Sequence, residues 1–355
     1  MRGLCNKGFY LTAAIMLCVL LRAGISYAKD PAALAARLHA ADAGSALDAS
    51  DVKPWHLKMD VQLFDAKGDA ADKGTIEEWW ASPELRRITF TMPSYTVTQL
   101  HNKDGYFLTK SQVYETPTLD DLLGQIVHPM PHQAEIDDAK PDLRKLKFGK
   151  VELDCIMLDQ PLKNVAYPPL GLFPTFCLDP DKDSLRFTTE LGSLMFVRNR
   201  MGLFQGRSVA LDVSGITDGI EAVSGHITTL EGMLVTNMDF APAADMEPIT
   251  AHATKIGAAV MAGKALSQPP PIYPEAAKQN HVAGTVVLHA IIGVDGHILS
   301  LHIVSTPDPD LAIASVAAVR KWTYTPYLLL GVPTEVETTI NVNFTISSSV
   351  SSFIE

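Results

Sequence analysis

His289 and His302 are the residues whose types and spacing come nearest to a chemical site. Two imidazoles on neighbouring strands could hold a metal ion. Zinc, however, takes four ligands, and no carboxylate or cysteine is expected beside this pair. His297 sits at the tip of the same hairpin, too far along the strand. The two read as exposed histidines whose joint protonation below about pH 6 is unfavourable. Cys155 and Cys177 are the second candidate pair. They read first as a structural disulfide, with two buried free thiols as the alternative. A metal or redox role does not suit them, because no Cys-x-x-Cys exists and no His lies within four residues of either. Gly257 to Gly263-Lys264 imitates a phosphate loop, but five residues separate the glycines and Ala265 replaces the magnesium-binding hydroxyl. The acidic cluster at 179–183 lacks calcium-loop spacing and reads as a solvated turn. There is no His-Glu-x-x-His, Gly-x-Ser-x-Gly or dinucleotide fingerprint. No catalytic residue, metal or cofactor is expected.

The histidine pair needs a hairpin to position it. Residues 285–294 are rich in β-branched types, Asp295-Gly296 is a two-residue turn signal, and residues 298–304 form the return strand. Facing residues then have numbers that add to 591. Ile292–Leu299, Ala290–Leu301 and Leu288–Ile303 share an apolar face. Ile291–Ser300, His289–His302 and Val287–Val304 share the other. Before the hairpin, Pro269–Pro271 is extended, Pro274 suits the first turn of a short helix and Gly284 stops that turn. After it, Pro309 and Asp310 open a helix with a stripe of Leu311, Ala314, Ala318 and Trp322. Arg320 and Lys321 suit its C-terminal end, and Pro326 prevents continuation. After a turn at 331–333, Val336, Thr338, Ile340, Val342 and Phe344 point one way along a last strand.

These residues resemble the TonB C-terminal domain. The motif comprises Tyr273-Pro274, Ala277, Gly284, Asp295-Gly296, Leu311, Ala314, Trp322, Pro326, Gly331 and Phe344, in order. The resemblance implies a two-layer β-β-α-β domain whose last strand pairs with a short peptide, the TonB box, of an outer-membrane receptor. The physical basis would be strand addition at an unpaired edge. The resemblance places that edge at residues 336–344, with Val336, Thr338, Ile340, Val342 and Phe344 as the partner-strand-binding residues. The same edge could instead be covered, or pair with a second copy of the chain as a homodimer.

The chain has 355 residues, which suggests two domains. Residues 1–28 read as a secretory signal: Arg2 and Lys7, an apolar centre at 9–21, and Ser26-Tyr27-Ala28 before the cut. Thirteen residues are short for a membrane span. Removing this segment leaves 26 basic and 40 acidic residues, a formal charge of −14. That balance disfavours nucleic acid and anionic lipid. The expected location is the periplasm of a Gram-negative-type envelope. A retained N-terminus would instead anchor the chain in the inner membrane and bring in motor proteins. TonB-family energy transducers keep such an anchor, often with a functional His, and a long Pro-Lys spacer. This sequence has neither feature, which weighs against energy transduction.

Residues 29–240 read as an antiparallel β domain, with a surface helix at 31–43 and a further helix at 119–127. Strands are expected near 56–64, 74–80, 86–91, 95–100, 106–109, 151–158, 176–178, 185–188, 194–197, 208–211 and 225–234. The order Val61-Gln62, then residues 74–83, Arg86-Arg87, and Gln99 through Asp104-Gly105 resembles the LolA lipoprotein carriers. That implies an open β-barrel with covering helices and an apolar hollow for acyl chains. Candidates to line it are Trp79, Trp80, Ile88, Phe90, Tyr106 and Phe107. Residues 241–268 are a linker, 269–347 the TonB-like domain and 348–355 a tail. The overall class is α+β. The expected function is non-enzymatic binding of a partner peptide or outer-membrane receptor in TonB-dependent transport. The alternative is a periplasmic lipid or lipoprotein carrier.

Overall fold

The computed structural model describes residues 30–65, 67–109, 117–148, 150–159, 168–217, 219–237, 240–249, 254–255, 263–293, 296–329, 332–333 and 336–346. The expected signal, residues 250–253 and 256–262 of the linker, Asp295, Gly331 and the tail lie outside these.

The fold is α+β and dominated by antiparallel sheet. Thirteen strands form one open sheet. They are β1 (Trp55–Phe64), β2 (Ala70–Ser82), β3 (Leu85–Met92), β4 (Tyr95–Asn102), β5 (Gly105–Thr109), β6 (Lys140–Phe148) and β7 (Val151–Asp159), then β8 (Thr175–Leu178), β9 (Leu185–Thr189), β10 (Met195–Phe204), β11 (Arg207–Thr217), β12 (Ile220–Gly232) and β13 (Met246–Ile249). Their order across the sheet is β13-β5-β4-β3-β2-β1-β12-β11-β10-β9-β8-β7-β6. The chain therefore leaves one end of the sheet after β5 and re-enters at the other end with β6. Helices α1 (Pro31–Ala43), α2 (Pro117–Val127) and α3 (Gln133–Asp138) serve this architecture.

Side chains alternate along each strand, so the sheet has two chemically distinct faces. On the inner face Trp55, Met59, Ile76, Ile88 and Phe90 are buried with Leu119, Leu122 and Ile126 of α2. Trp55 stacks on Trp80, with ring centroids 5.9 Å apart. A polar pin holds α2 in place: the buried Arg198 guanidinium donates to Gln125 Oε1 at 2.5 Å and to its carbonyl at 3.2 Å. Burial lowers the Arg198 pKa to about 9. At the far end α1 buries Leu34 and Leu38 against Ile156, Phe176 and Leu178. Arg37 of α1 bonds Asp154 at 2.7 Å and Asp183 at 2.5 Å. The turn at 179–183 is thus tied to α1 through Asp183 and is not merely solvated.

Sequence reading missed β6, α3 and β13. Only Leu143 and Leu146 among residues 140–147 are large and apolar, so β6 lacks a strong alternating signal. Its charges suit a strand at the sheet edge. β13 draws part of the expected linker into the large sheet, opposite β5.

The C-terminal part contains β14 (Thr254–Lys255), β15 (Ala265–Ser267), α4 (Glu275–Gln279), β16 (Gly284–Ile292), β17 (Ile298–Ser305) and α5 (Pro309–Val319). Short strands β18 (Thr323–Tyr324), β19 (Leu328–Leu329) and β20 (Val332–Pro333) follow, and β21 (Val336–Phe344) ends it. The sheet order is β14-β21-β16-β17. Four hairpin pairs keep the expected register, from Leu288–Ile303 to Ile291–Ser300. The ends differ: irregularities pair Ile292 with Ile298 and Val287 with Ser305. The turn is wider than two residues, since Gly293 N–H donates to the His297 carbonyl at 2.9 Å. Asp308 caps α5 through its side chain, accepting from Asp310 N–H at 2.8 Å. The buried face of α5 carries Leu311, Ala312, Ser315, Val316, Ala318 and Val319, while Ala314 and Trp322 are only partly buried. The expected stripe was therefore rotated slightly from the real one.

Candidate partner-binding edge

Several of the described motif residues have a local job. Tyr273 donates its hydroxyl to the Val282 carbonyl at 2.5 Å and meets Phe344 edge-on at 5.1 Å, which ties the entry segment to the end of β21. Pro274 is the N-cap of α4 instead of its first helical residue. Gly284 opens β16 opposite Phe344. Gly296 has φ +84°, and a Cβ there would lie 1.9 Å from the Tyr324 carbonyl oxygen, so only glycine fits. Trp322 donates its indole N–H to the Pro269 carbonyl at 2.9 Å. Pro326 follows the β18 strand, half-buried.

β21 pairs antiparallel with β16 along all nine residues, from Val336–Ile292 to Phe344–Gly284. Val336, Thr338, Ile340, Val342 and Phe344 are buried. Their side chains therefore fix the strand against the core, and a partner would meet the backbone. Thr339, Asn341 and Asn343 are exposed on the other face. On the outer side of β21, β14 pairs in parallel at Thr254–Val336 and Lys255–Glu337. Among the described residues, no strand pairs with the outer side of Thr338–Phe344.

On the opposite edge of this small sheet, β17 meets the β9–β10 turn of the large sheet. Gly192 and Ser193 in the turn after β9 lie against the Leu301 backbone, with Ser193 Oγ 3.5 Å from the Leu301 carbonyl. Arg320 donates to the Gly192 carbonyl at 3.0 Å. Met157, Leu172 and Phe173 share one buried cluster with Leu288, Leu301, Leu311 and Ile340.

His289 and His302 face each other as expected, with ring centroids 6.4 Å apart. Carboxylates do flank them, contrary to the sequence reading. Glu190 Oε2 is 2.8 Å from His302 Nδ1, and Glu337 Oε2 is 3.8 Å from His289 Nε2. Glu190 lies 112 positions away in sequence, so no local pattern could reveal it. Among the described residues, no group of three or more such side chains could hold a metal ion. The Glu190 hydrogen bond raises the His302 pKa above its ordinary 6.5, outweighing burial, and protonation is favoured. The linked stability is present in full below about pH 6.5 and is lost as pH rises through the raised value. Glu190→Gln is expected to flatten this dependence, read as the melting-temperature difference between pH 6 and pH 8.

The six residues proposed for an apolar hollow do not share a face. Trp80, Ile88, Phe90 and Tyr106 project inward, whereas Trp79 and Phe107 project outward with His56 and Leu100. Trp80, Ile88 and Phe90 are already covered. One inner-face residue escaped the sequence reading. Glu78 is 1% exposed, and neither carboxylate oxygen has a hydrogen-bond partner. Desolvation raises its pKa to about 7, against the opposing charge of Arg86. The only local sign was a charged residue at an inward position of an alternating strand.

Cys155 and Cys177 face each other on β7 and β8 and form a disulfide. No described helix is long and apolar enough to cross a membrane. A search of curated proteins returned no match. Among solved structures, a LolA superfamily protein from Nitrosomonas europaea is 10% identical with TM-score 0.39, over 58% of this chain and 96% of that one. An outer membrane lipoprotein-sorting protein domain from Vibrio parahaemolyticus is 9% identical with TM-score 0.35, over 59% and 97%. A DUF1329 family protein from Desulfovibrio piger is 7% identical with TM-score 0.31, over 58% and 92%. Residues 269–346 match the model of the Gram-negative bacterial TonB protein C-terminal family.

Proposed function

We propose that the chain is a non-enzymatic envelope protein that binds an extended peptide of an outer-membrane receptor. The peptide adds to the outer edge of β21 at Thr338–Phe344. The observation that supports this most is the asymmetry of the small sheet. One edge, β17, meets the β9–β10 turn of the large sheet, while β21 is held rigid by five buried side chains and pairs outward only at Val336–Glu337 among the described residues. Backbone bonds would supply affinity, and the exposed Thr339, Asn341 and Asn343 would contribute to selectivity.

Neighbouring residues of a strand direct their N–H groups to opposite sides. Thr339→Pro and Ile340→Pro therefore separate the two edges of β21. One variant breaks the ladder to β16; the other removes a donor from the outer edge alone. Calorimetric titration with a synthetic TonB-box peptide of a receptor from the same envelope provides the test. The variant that keeps the native melting temperature should lose affinity at least about tenfold. Unchanged binding in both folded variants would rule out this edge. The lipid-carrier reading requires displacement of α2, because Leu119, Leu122 and Ile126 already fill the inner face. Saturable binding of a fluorescent fatty acid would favour it.

A further inference from the structure

The outer face of the large sheet, opposite α2, carries an open cavity of about 630 Å³. It lies where the start of β1, the end of β12 and the β10–β11 turn converge. His56 and Trp79 are neighbours on β1 and β2, and both line it. Their rings stack with centroids 5.1 Å apart and planes 9° from parallel. Glu77 fixes His56 through its Nε2 at 2.8 Å, and Lys58 offsets the Glu77 charge from 3.8 Å. Glu231 Oε1 lies 3.6 Å from the other ring nitrogen, with its side chain 67% exposed.

The far wall is held in place by a tight turn. Gln205 adopts a left-handed φ of +50°. Its amide bonds both ends of one peptide residue, accepting from Lys53 N–H at 2.9 Å and donating to the Lys53 carbonyl at 3.0 Å. With Gly206 at +83°, Gln205 makes the turn that a two-residue hairpin loop favours. The arrangement fixes Phe204 as an apolar wall facing Met233 and Leu234. Leu234, at the rim, is 68% exposed. Large apolar side chains presented together at a cavity rim mark a contact surface.

We propose that this cavity binds a ligand carrying an ammonium group on an apolar stem. The ammonium would sit beside the Glu231 carboxylate at the open rim of the His56–Trp79 stack, since an aromatic surface attracts cations. The stem would lie along Phe204, Met233 and Leu234. The formal charge of −11 favours a cation and disfavours an anion. Lys53 at the rim opposes a cation, so its removal should tighten binding. The site lies on a different face and a different sheet from the β21 edge, and it does not depend on the peptide-binding reading.

The test is calorimetric titration of the whole chain with dodecyltrimethylammonium and with dodecyl sulfate, both below their micelle concentrations. The cationic amphiphile should saturate one site and bind at least about tenfold more tightly than the anionic one. Trp79→Ala should weaken the cation about tenfold, Glu231→Gln about threefold, and Lys53→Met should strengthen it about twofold. Should Trp79→Ala fail to fold, the exposed Glu231→Gln and Lys53→Met still decide, because their opposite signs are not expected of a packing defect. Flotation of the chain with phosphatidylcholine vesicles would assign the ammonium to a lipid headgroup; binding of the free amphiphile without flotation would assign it to a soluble ligand. Absence of saturable binding, equal affinity for both amphiphiles, or insensitivity to the substitutions would overturn the proposal.

Discussion

Glu78→Met is expected to stabilise the fold by about 3 kcal/mol at pH 8 and by much less at pH 4. Glu78 is buried on the inner face of β2, between Leu57 of β1 and Ile88 of β3, with both oxygens unpartnered. Desolvation raises its pKa from 4.5 to about 7. The folded state therefore holds the proton more tightly than the unfolded chain. Below pH 4.5 the carboxyl is neutral in both states and carries no ionisation penalty. Between 4.5 and 7 the unfolded chain releases the proton while the folded one retains it, and stability declines. Above 7 the full penalty applies, about 3 kcal/mol for a shift of this size. A methionine fills similar space and removes the charge. Denaturant titrations of both proteins at pH 4 and pH 8 measure the difference. Equal stability changes at the two pH values would show that Glu78 ionises normally in the fold.

The second large effect concerns the disulfide. Cys155→Ala combined with Cys177→Ala is expected to cost about 3 kcal/mol, from the entropy of closing a 22-residue separation. Both residues are fully buried among Leu146, Leu153 and Phe187, so two small cavities add to the loss. The damage should concentrate at the β6–β9 end of the sheet. That end also supplies Met157, Leu172 and Phe173 to the buried cluster under the C-terminal module. Reduction should therefore loosen the module as well, seen as faster amide hydrogen exchange in β16 and β17. Protection unchanged on reduction would mean that the two regions are not coupled in this way.

Local pairings were legible where the sequence alternates cleanly. The His289–His302 pairing followed from residue spacing, and so did the shared face of Val336, Thr338, Ile340, Val342 and Phe344 on β21; that this face is the buried one did not. The ends of the same hairpin were not legible, because irregularities at Val287–Leu288 and Ile291–Ile292 shift the ladder without any marker residue. Long-range order was not legible either. Nothing near β5 announces that the chain crosses to the other end of the sheet, and nothing near Glu190 announces His302. For the hollow, type was read before parity: Trp79 and Trp80 are adjacent, so they must face opposite sides of the sheet. Glu78 was hidden because a charged residue on a strand is ordinarily read as exposed.

The central claim is that the outer edge of β21 receives a partner strand. Hydrogen exchange of the 336–344 segment, with and without a saturating TonB-box peptide, addresses it most directly. Strand addition would slow the amides of Thr338–Phe344 that point away from β16 and leave their inward neighbours, already paired, unchanged. Peptide binding with no added protection in this segment would contradict the account and move the binding site elsewhere on the molecule.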